Sequence, residues 1–388
     1  MPSPPPPSGS PSRLDAPSIT QPDEARSQIV EADSASNHSS SGENLYVIPP
    51  PAHPLRPSDA EEEKGKANDN AVSDMSTRSV TTSVFNFHKE NGRTYHGYRA
   101  GSYHFPNDAS EIDRLDYQHL LVNHCLQSKL FYAPIPAPPY PLTVLDIGTG
   151  TGSWAIEMGD LYPEGLIEAT DLSPIQPSAV PENVQFIIDD AEQADWAVPE
   201  NHYDFVHTRI LEGCFADMGA VIATAFKHIK PGGYIESQEL NPWPHCDDGT
   251  MPPDWPFARY VAKLQEASLE VGRELDIAPK LRGWFEEAGF VDVQQRVFKA
   301  PLGRWPKDPA MKDLGHWWAE NMSVGLAAFS LAYFSRVLGW STEEIELYLV
   351  DVRKSLADKD VHAYHRIYVV WGRKPEVGEV VPSRAPAA

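Results

Sequence analysis

Between about residues 140 and 375, short apolar runs alternate with segments whose apolar residues recur at helical spacing. That alternation is the pattern of a largely parallel sheet covered by helices. Five runs read as successive strands, at 142–147, 165–170, 184–188, 203–207 and 233–237. Two further runs, 291–298 and 362–371, come after a clear helix at 278–288 and after a long helical block, and the last reads as a strand returning into the sheet. Ahead of the first strand, Asp108-Ala-Ser110-Glu111 stands before Ile112, Leu115, Tyr117, Leu120 and Leu121 and predicts a helix start. Ser341-Thr-Glu-Glu344 has the spacing of a capping box. The expected fold is α/β: a Rossmann-like, seven-stranded, mostly parallel sheet with helices on both faces.

Composition divides the chain. Of its 37 prolines, 13 lie in the first sixty residues, among Ser, Asp, Glu and Asn with no helical or strand period. Residues 1–85 are therefore expected to be a disordered tail, 86–375 the folded unit, and 376–388, again Pro, Val and Ala, a flexible end. The longest apolar run, Val324 to Phe334, is about half the ~20 residues a bilayer span requires, and Met1-Pro2-Ser3-Pro4 resembles neither a secretory signal nor a myristoylation site. No membrane association is expected, and the location is expected to be intracellular, in cytoplasm or nucleus. The formal net charge of −23 is shared between tail and folded unit, which opposes direct nucleic-acid binding. Cys125, Cys214 and Cys246 are too scattered for a disulfide framework or a cysteine zinc site. His245-Cys246-Asp247-Asp248 are adjacent in one loop and cannot readily surround an ion, so no metal is assigned.

The strongest chemical signal is Val144-Leu-Asp146-Ile-Gly148-Thr-Gly150-Thr-Gly152-Ser-Trp154, a strand running through glycines into a helix. Such a loop lets a ligand approach the backbone and meet unpaired N–H groups. A dinucleotide fingerprint would place its third glycine at 153, which is Ser, and Asp146 would oppose a pyrophosphate. An acid there suits a ligand carrying an amino group instead, and a nicotinamide oxidoreductase is disfavoured.

Asp146-x-Gly148-x-Gly150-x-Gly152 resembles the cofactor loop of class I methyltransferases that use S-adenosylmethionine (SAM). The resemblance extends to Asp171 at the end of the next strand, where that family has an acid for both ribose hydroxyls, and to Asp189-Asp190-Ala191-Glu192, similar to the adenine-side motif. Lys230-Pro-Gly-Gly-Tyr234 is similar to the turn before the fifth strand. More narrowly, Glu90-Asn-Gly-Arg-Thr-Tyr-His-Gly-Tyr98, Ala169-Thr-Asp-Leu-Ser-Pro-Ile-Gln-Pro177, Pro301-Leu-Gly-Arg-Trp305-Pro and His362-Ala-Tyr364 resemble fungal LaeA-like methyltransferases over about 86–375. The resemblance implies SAM as cofactor, held by Asp146, Gly148, Gly150, Gly152, Asp171, Asp190 and Ala191. It also implies one of two roles. One is a tailoring enzyme that methylates an O or N atom of a secondary-metabolite intermediate; the other is a regulator acting through a velvet-type protein partner.

Methyl transfer is an in-line displacement that needs alignment and a dry site, and a hydroxyl acceptor also benefits from a base. His207, at the end of the fourth strand, is either that base or a histidine bonded within the sheet. Arg209 is expected to pair with Glu212 or to meet an acidic acceptor, and Glu236 and Glu239 to face pocket or solvent. Tyr95, Tyr98, Tyr103 and Trp243 are either lid and acceptor contacts or ordinary core.

Overall fold

The computed structural model describes residues 82–380. Residues 1–81 of the expected tail and 381–388 of the expected C-terminal end lie outside the described residues. The described part opens with a turn of 3-10 helix at Thr82–Phe85 and a hairpin, β1 (His88–Glu90) and β2 (Arg93–Tyr95). The hairpin turns on Asn91 and Gly92, both at positive φ (50° and 75°), the backbone that Asn-Gly supplies most readily. Helix α1 (Ala109–Cys125) starts where the sequence predicts, because the Asp108 carboxylate accepts from the Glu111 N–H. Arg93 clamps the same carboxylate, tying the hairpin to the helix.

The central sheet has seven strands: β3 (Thr143–Ile147), β4 (Leu166–Asp171), β5 (Val184–Ile188), β6 (Tyr203–Arg209), β7 (Ile229–His245), β8 (Val291–Pro301) and β9 (Tyr364–Arg373). Their order is β5-β4-β3-β6-β7-β9-β8; the pairings from β5 to β7 are parallel, and β9 runs antiparallel to both its neighbours. All seven predicted strands are present. The fifth is much longer than its predicted 233–237. Tyr203 pairs with Ile229 and Phe205 with Tyr234, so Lys230–Gly233 loops out of the ladder and the turn expected before the strand lies inside it.

Alternate residues of β3 serve opposite faces. Val144 packs with Trp154 and Met158 of α2 (Ser153–Leu161), whereas Leu145 and Ile147 pack with α3 (Met218–His228) and α5 (Leu281–Ala288). Both faces are covered, which is why the strand reads as an almost unbroken apolar run. The third and largest cluster joins α1, α4 (Pro256–Glu270), α6 (Pro309–Arg336) and α7 (Thr342–Leu356) against β8 and β9. The capping box at Ser341 and Glu344 forms and starts α7. No helix among the described residues is long and apolar enough to cross a membrane.

Candidate functional site

A cleft opens beyond the carboxyl ends of β3, β4, β5 and β6, where open α/β sheets place their ligands. Asp146, Gly148, Gly150, Asp171, Asp190 and Ala191 all line it. At Gly150 a φ of 60°, open to glycine at no steric cost, accompanies an N–H that donates to Asp171 Oδ2 at 2.8 Å. The other oxygen of Asp171 accepts from the Ser173 N–H at 2.8 Å. Burial still outweighs these two bonds and pushes the Asp171 carboxyl up to about 6. Asp190 accepts from the Glu192 N–H at 3.0 Å and has Arg99 Nε 3.4 Å from its second oxygen.

Gly152 is placed differently from the sequence expectation, since it is not among the residues lining the cleft. It is the N-cap of α2 at φ 83°, and a Cβ there would come within 2.3 Å of the Phe186 ring. Its glycine lets the helix sit close against β5.

His207 takes the second of its two readings, a histidine bonded within the sheet. Asp146 and His207 are register partners on β3 and β6, so their side chains share a face, and α2 covers that face with Trp154. The imidazole is fully buried, stacked on the Trp154 ring at 3.7 Å and 4°, and does not line the cleft. Its Nδ1 donates to Asp146 Oδ1 at 2.8 Å. Burial lowers the His207 pKa, with Asp146 pulling the other way. The ring is placed to orient Asp146 rather than to meet an acceptor.

Arg209 does not pair with Glu212. Its Nη2 donates to His119 Nδ1 at 2.7 Å, and His119 Nε2 meets Glu157 Oε1 at 2.9 Å. Because Arg has only donors, His119 Nδ1 must accept and Nε2 must carry the proton. Arg209 Nη1 is left buried and unpartnered in a residue that lines the cleft. Glu236 and Glu239 face neither cleft nor solvent. Glu236 accepts from the backbone N–H groups of Tyr132 and Ala133, and Glu239 from that of Leu211.

Among the four aromatic candidates only Tyr103 lines the cleft. Tyr95 is buried with the Arg336 guanidinium 4.9 Å over its ring. The Tyr98 hydroxyl lies 3.4 Å from Gln193 Nε2 at the Asp190 end, outside the lining. Trp243 donates to Asp276 Oδ2 at 3.0 Å. Tyr103 also lines a second cavity, together with Leu115, Gln118, Ile210 and Cys214, each of which is shared with the cleft. The rest of that cavity is mostly apolar and comes from α1, α4, α6, β7, β9 and the loops between them. Ile210, on the shared wall, is a β-branched residue at φ 52°, a strained backbone of the kind found at functional sites.

The donor set fits SAM. Three acids spaced along one cleft match, in turn, an ammonium, a vicinal diol and an exocyclic amine, and the unpartnered Arg209 Nη1 matches a carboxylate beside the ammonium. Strand order and cleft together define a class I methyltransferase. Residues 117–295 match a methyltransferase domain family. The chain is 43% identical over 303 residues to methyltransferase pytC of Aspergillus terreus, covering 78% of this chain and 92% of that one. It is 34% identical over 290 residues to the secondary metabolism regulator LAE1 of Cochliobolus heterostrophus (74% and 94% covered). To the protein-methionine methyltransferase laeA of Emericella nidulans it is 35% identical over 295 residues (74% and 77% covered). Among solved structures it resembles Haemonchus contortus phosphoethanolamine N-methyltransferase 2 with SAM, at 17% identity and a TM-score of 0.40, over 67% of this chain and 53% of that one. The chain belongs to the LaeA-like family of SAM-dependent methyltransferases.

Proposed function

We propose that this methyltransferase is a tailoring enzyme of secondary metabolism whose acceptor is a small molecule methylated at O or N. One observation carries the reading: the cleft that fits the cofactor shares a wall with a second, mostly apolar cavity of the kind that holds small ligands. In the cleft, Asp146 holds the ammonium of the methionine part and His207 fixes the rotamer of Asp146. Gly148 and Gly150 let the backbone approach the ligand, Asp171 accepts from the ribose hydroxyls, and Asp190 takes the adenine amine beside Ala191. When bound, the cofactor supplies an electrophilic methyl group. The chain's own contribution is alignment, exclusion of water and placement of the acceptor.

Calorimetric titration with SAM and with S-adenosylhomocysteine tests the cleft, and micromolar affinity for both is the expected result. Incubation with labelled SAM and organic extracts of a producing fungus then tests the acceptor, label in a small molecule being expected. Label confined to this protein or to a stoichiometric velvet-type partner would replace the tailoring role with a regulatory one.

A further inference from the structure

The second cavity contains two polar groups that its apolar walls leave unsatisfied. Glu212 follows β6 and lines the cavity, and its Oε2 is buried without a hydrogen-bond partner. His365, on β9, lines it as well, and its Nε2 is likewise buried and unpartnered. The histidine's tautomer follows from its neighbour. Trp318 Nε1 has only a proton to give and lies 3.1 Å from His365 Nδ1, so Nδ1 accepts and Nε2 carries the hydrogen. The cavity thus holds one free carboxyl oxygen and one N–H donor that makes no well-formed hydrogen bond, with the Pro242 carbonyl nearby. Leaving a buried polar atom unpaired is costly, and a ligand entering this cavity can satisfy both atoms at once.

The remaining lining limits what that ligand can be. Phe105 and Phe329 meet edge to face at 5.8 Å, and Phe257 lies 5.7 Å from the His365 ring. The strongest cation in the lining, Arg114, is already bonded to Glu111 at 2.6 Å and to Gln118 at 2.7 Å. An anionic ligand would find no free cation, and an extended peptide would bring more N–H and C=O groups than two partners could satisfy. A flat aromatic molecule with one hydroxyl fits.

We propose that this cavity is the acceptor chamber, that it takes a neutral, hydroxyl-bearing aromatic molecule, and that Glu212 receives the hydroxyl proton during transfer. The proposal rests on the SAM reading of the neighbouring cleft. The hydroxyl proton passes to the Glu212 carboxylate, the oxygen's electron pair forms the new O–CH3 bond, and the S–CH3 bond breaks with its pair left on sulfur. His365 Nε2 donates to a second oxygen of the ligand where there is one.

Charge around Glu212 supports the role. Burial raises its pKa and outweighs its own backbone N–H and Arg114 on α1, which both lower it, so the carboxyl is pushed up to about 8. Glu239 on β7 and Cys214 in the loop after β6 face the same region, and both are themselves pushed well above their ordinary values by burial. His365 is lowered to about 3 by burial, against the pull of the Pro242 carbonyl, and stays neutral. A base poised near 8 is matched to a phenolic proton.

The test uses the full chain and 1-naphthol as probe. Fluorescence quenching should show naphthol binding that Leu326→Trp weakens at least tenfold, with Met322→Trp as a second filler and SAM affinity unchanged in both. Mass spectrometry should detect 1-methoxynaphthalene, formed at a rate that rises with pH to a midpoint near 8. Glu212→Gln, which keeps the side chain's shape, should lower kcat about 100-fold, flatten that profile and leave naphthol affinity within threefold. The chamber assignment falls if naphthol does not bind, or binds equally to the filled variants. The role of Glu212 falls if bound naphthol is not methylated, or if Glu212→Gln keeps the rate and its pH dependence. Loss of SAM binding in the unaltered protein would instead overturn the cleft.

Discussion

On one side of Tyr103 the walls are backbone turns and three acids at the ends of parallel strands. On the other they are side chains sent inward by α1, α4 and α6. The first kind of wall is written locally. Asp146, Gly148 and Gly150 follow one another in five residues, and Asp171 and Asp190 each sit at or just past a strand end, so finding the strand finds the residue. The second kind is assembled across the chain. Phe257, Tyr260, Val261 and Leu264 of α4, and Met322, Leu326 and Phe329 of α6, recur at three- and four-residue spacing, which is also the spacing of any core-facing helix. A cavity wall and a packed core are the same pattern until the facing helices are placed. Cofactor sites are therefore legible in sequence where acceptor sites are not.

The largest expected effect is on the local side. Asp171→Ala removes the acceptor proposed for two ribose hydroxyls and frees the Gly150 and Ser173 N–H groups. With each charge-assisted bond worth ~1.5–3 kcal/mol, SAM affinity should fall by about 3–4 kcal/mol, several hundredfold, in calorimetry. Naphthol affinity should not change. A matching loss of naphthol binding would show that the two cavities form one site and dissolve the comparison.

Gly152→Ala is expected to separate scaffold from ligand. A residue other than glycine at φ 83° costs ~1–2 kcal/mol, and the Cβ must also displace Phe186 from 2.3 Å. Stability in denaturant melts should drop by about 3 kcal/mol, with SAM affinity at low temperature preserved within threefold. Intact stability with lost affinity would return Gly152 to the binding wall, where the sequence alone had put it. The structure sets Gly152 against Phe186, and a glycine needed for close packing of helix and sheet looks, in a string of alternating glycines, like one needed by a ligand.

His207 stayed open between two readings for a related reason. The end of a parallel strand marks the cleft, but which residue faces it depends on what the next helix covers, and Trp154 of α2 takes the His207 side. Glu212 was visible only as a partner for Arg209, because nothing in the sequence shows that His119 takes that guanidinium first. The fold was legible apart from elements lacking periodicity. The three-residue strands β1 and β2 flank an Asn-Gly that signals the hairpin, and β7 continues through Glu239, Asn241 and Pro242, polar and proline residues that ordinarily end a strand.

The pH dependence of cofactor binding gives the next effect. The carboxylate form of Asp171 is the one that accepts hydroxyl protons, and burial pushes its pKa up to about 6. SAM affinity should be full above pH 7 and fall about tenfold by pH 5, since a proton must then leave before the ligand binds. Asp171→Asn should flatten this profile. A flat profile in the unaltered protein would mean that the ribose is held elsewhere.

The smallest expected effect lies on the assembled side and checks its outer limit. Trp243 was a candidate acceptor contact, yet its N–H is directed at Asp276, which it shares with Asn241 Nδ2 at 2.7 Å. Trp243→Phe keeps most of the ring and removes one donor from a half-buried carboxylate whose pKa burial already raises. The cost should be about 1 kcal/mol in thermal melts at neutral pH. It should shrink in acid as the carboxyl takes its own proton, because the neutral group needs the donor less. Naphthol and SAM affinities should stay within twofold. A tenfold loss of naphthol binding with unchanged stability would move the chamber wall outward to Trp243. The acceptor site would then extend along the proline-containing end of β7, and its ligand would be larger than one fused ring pair.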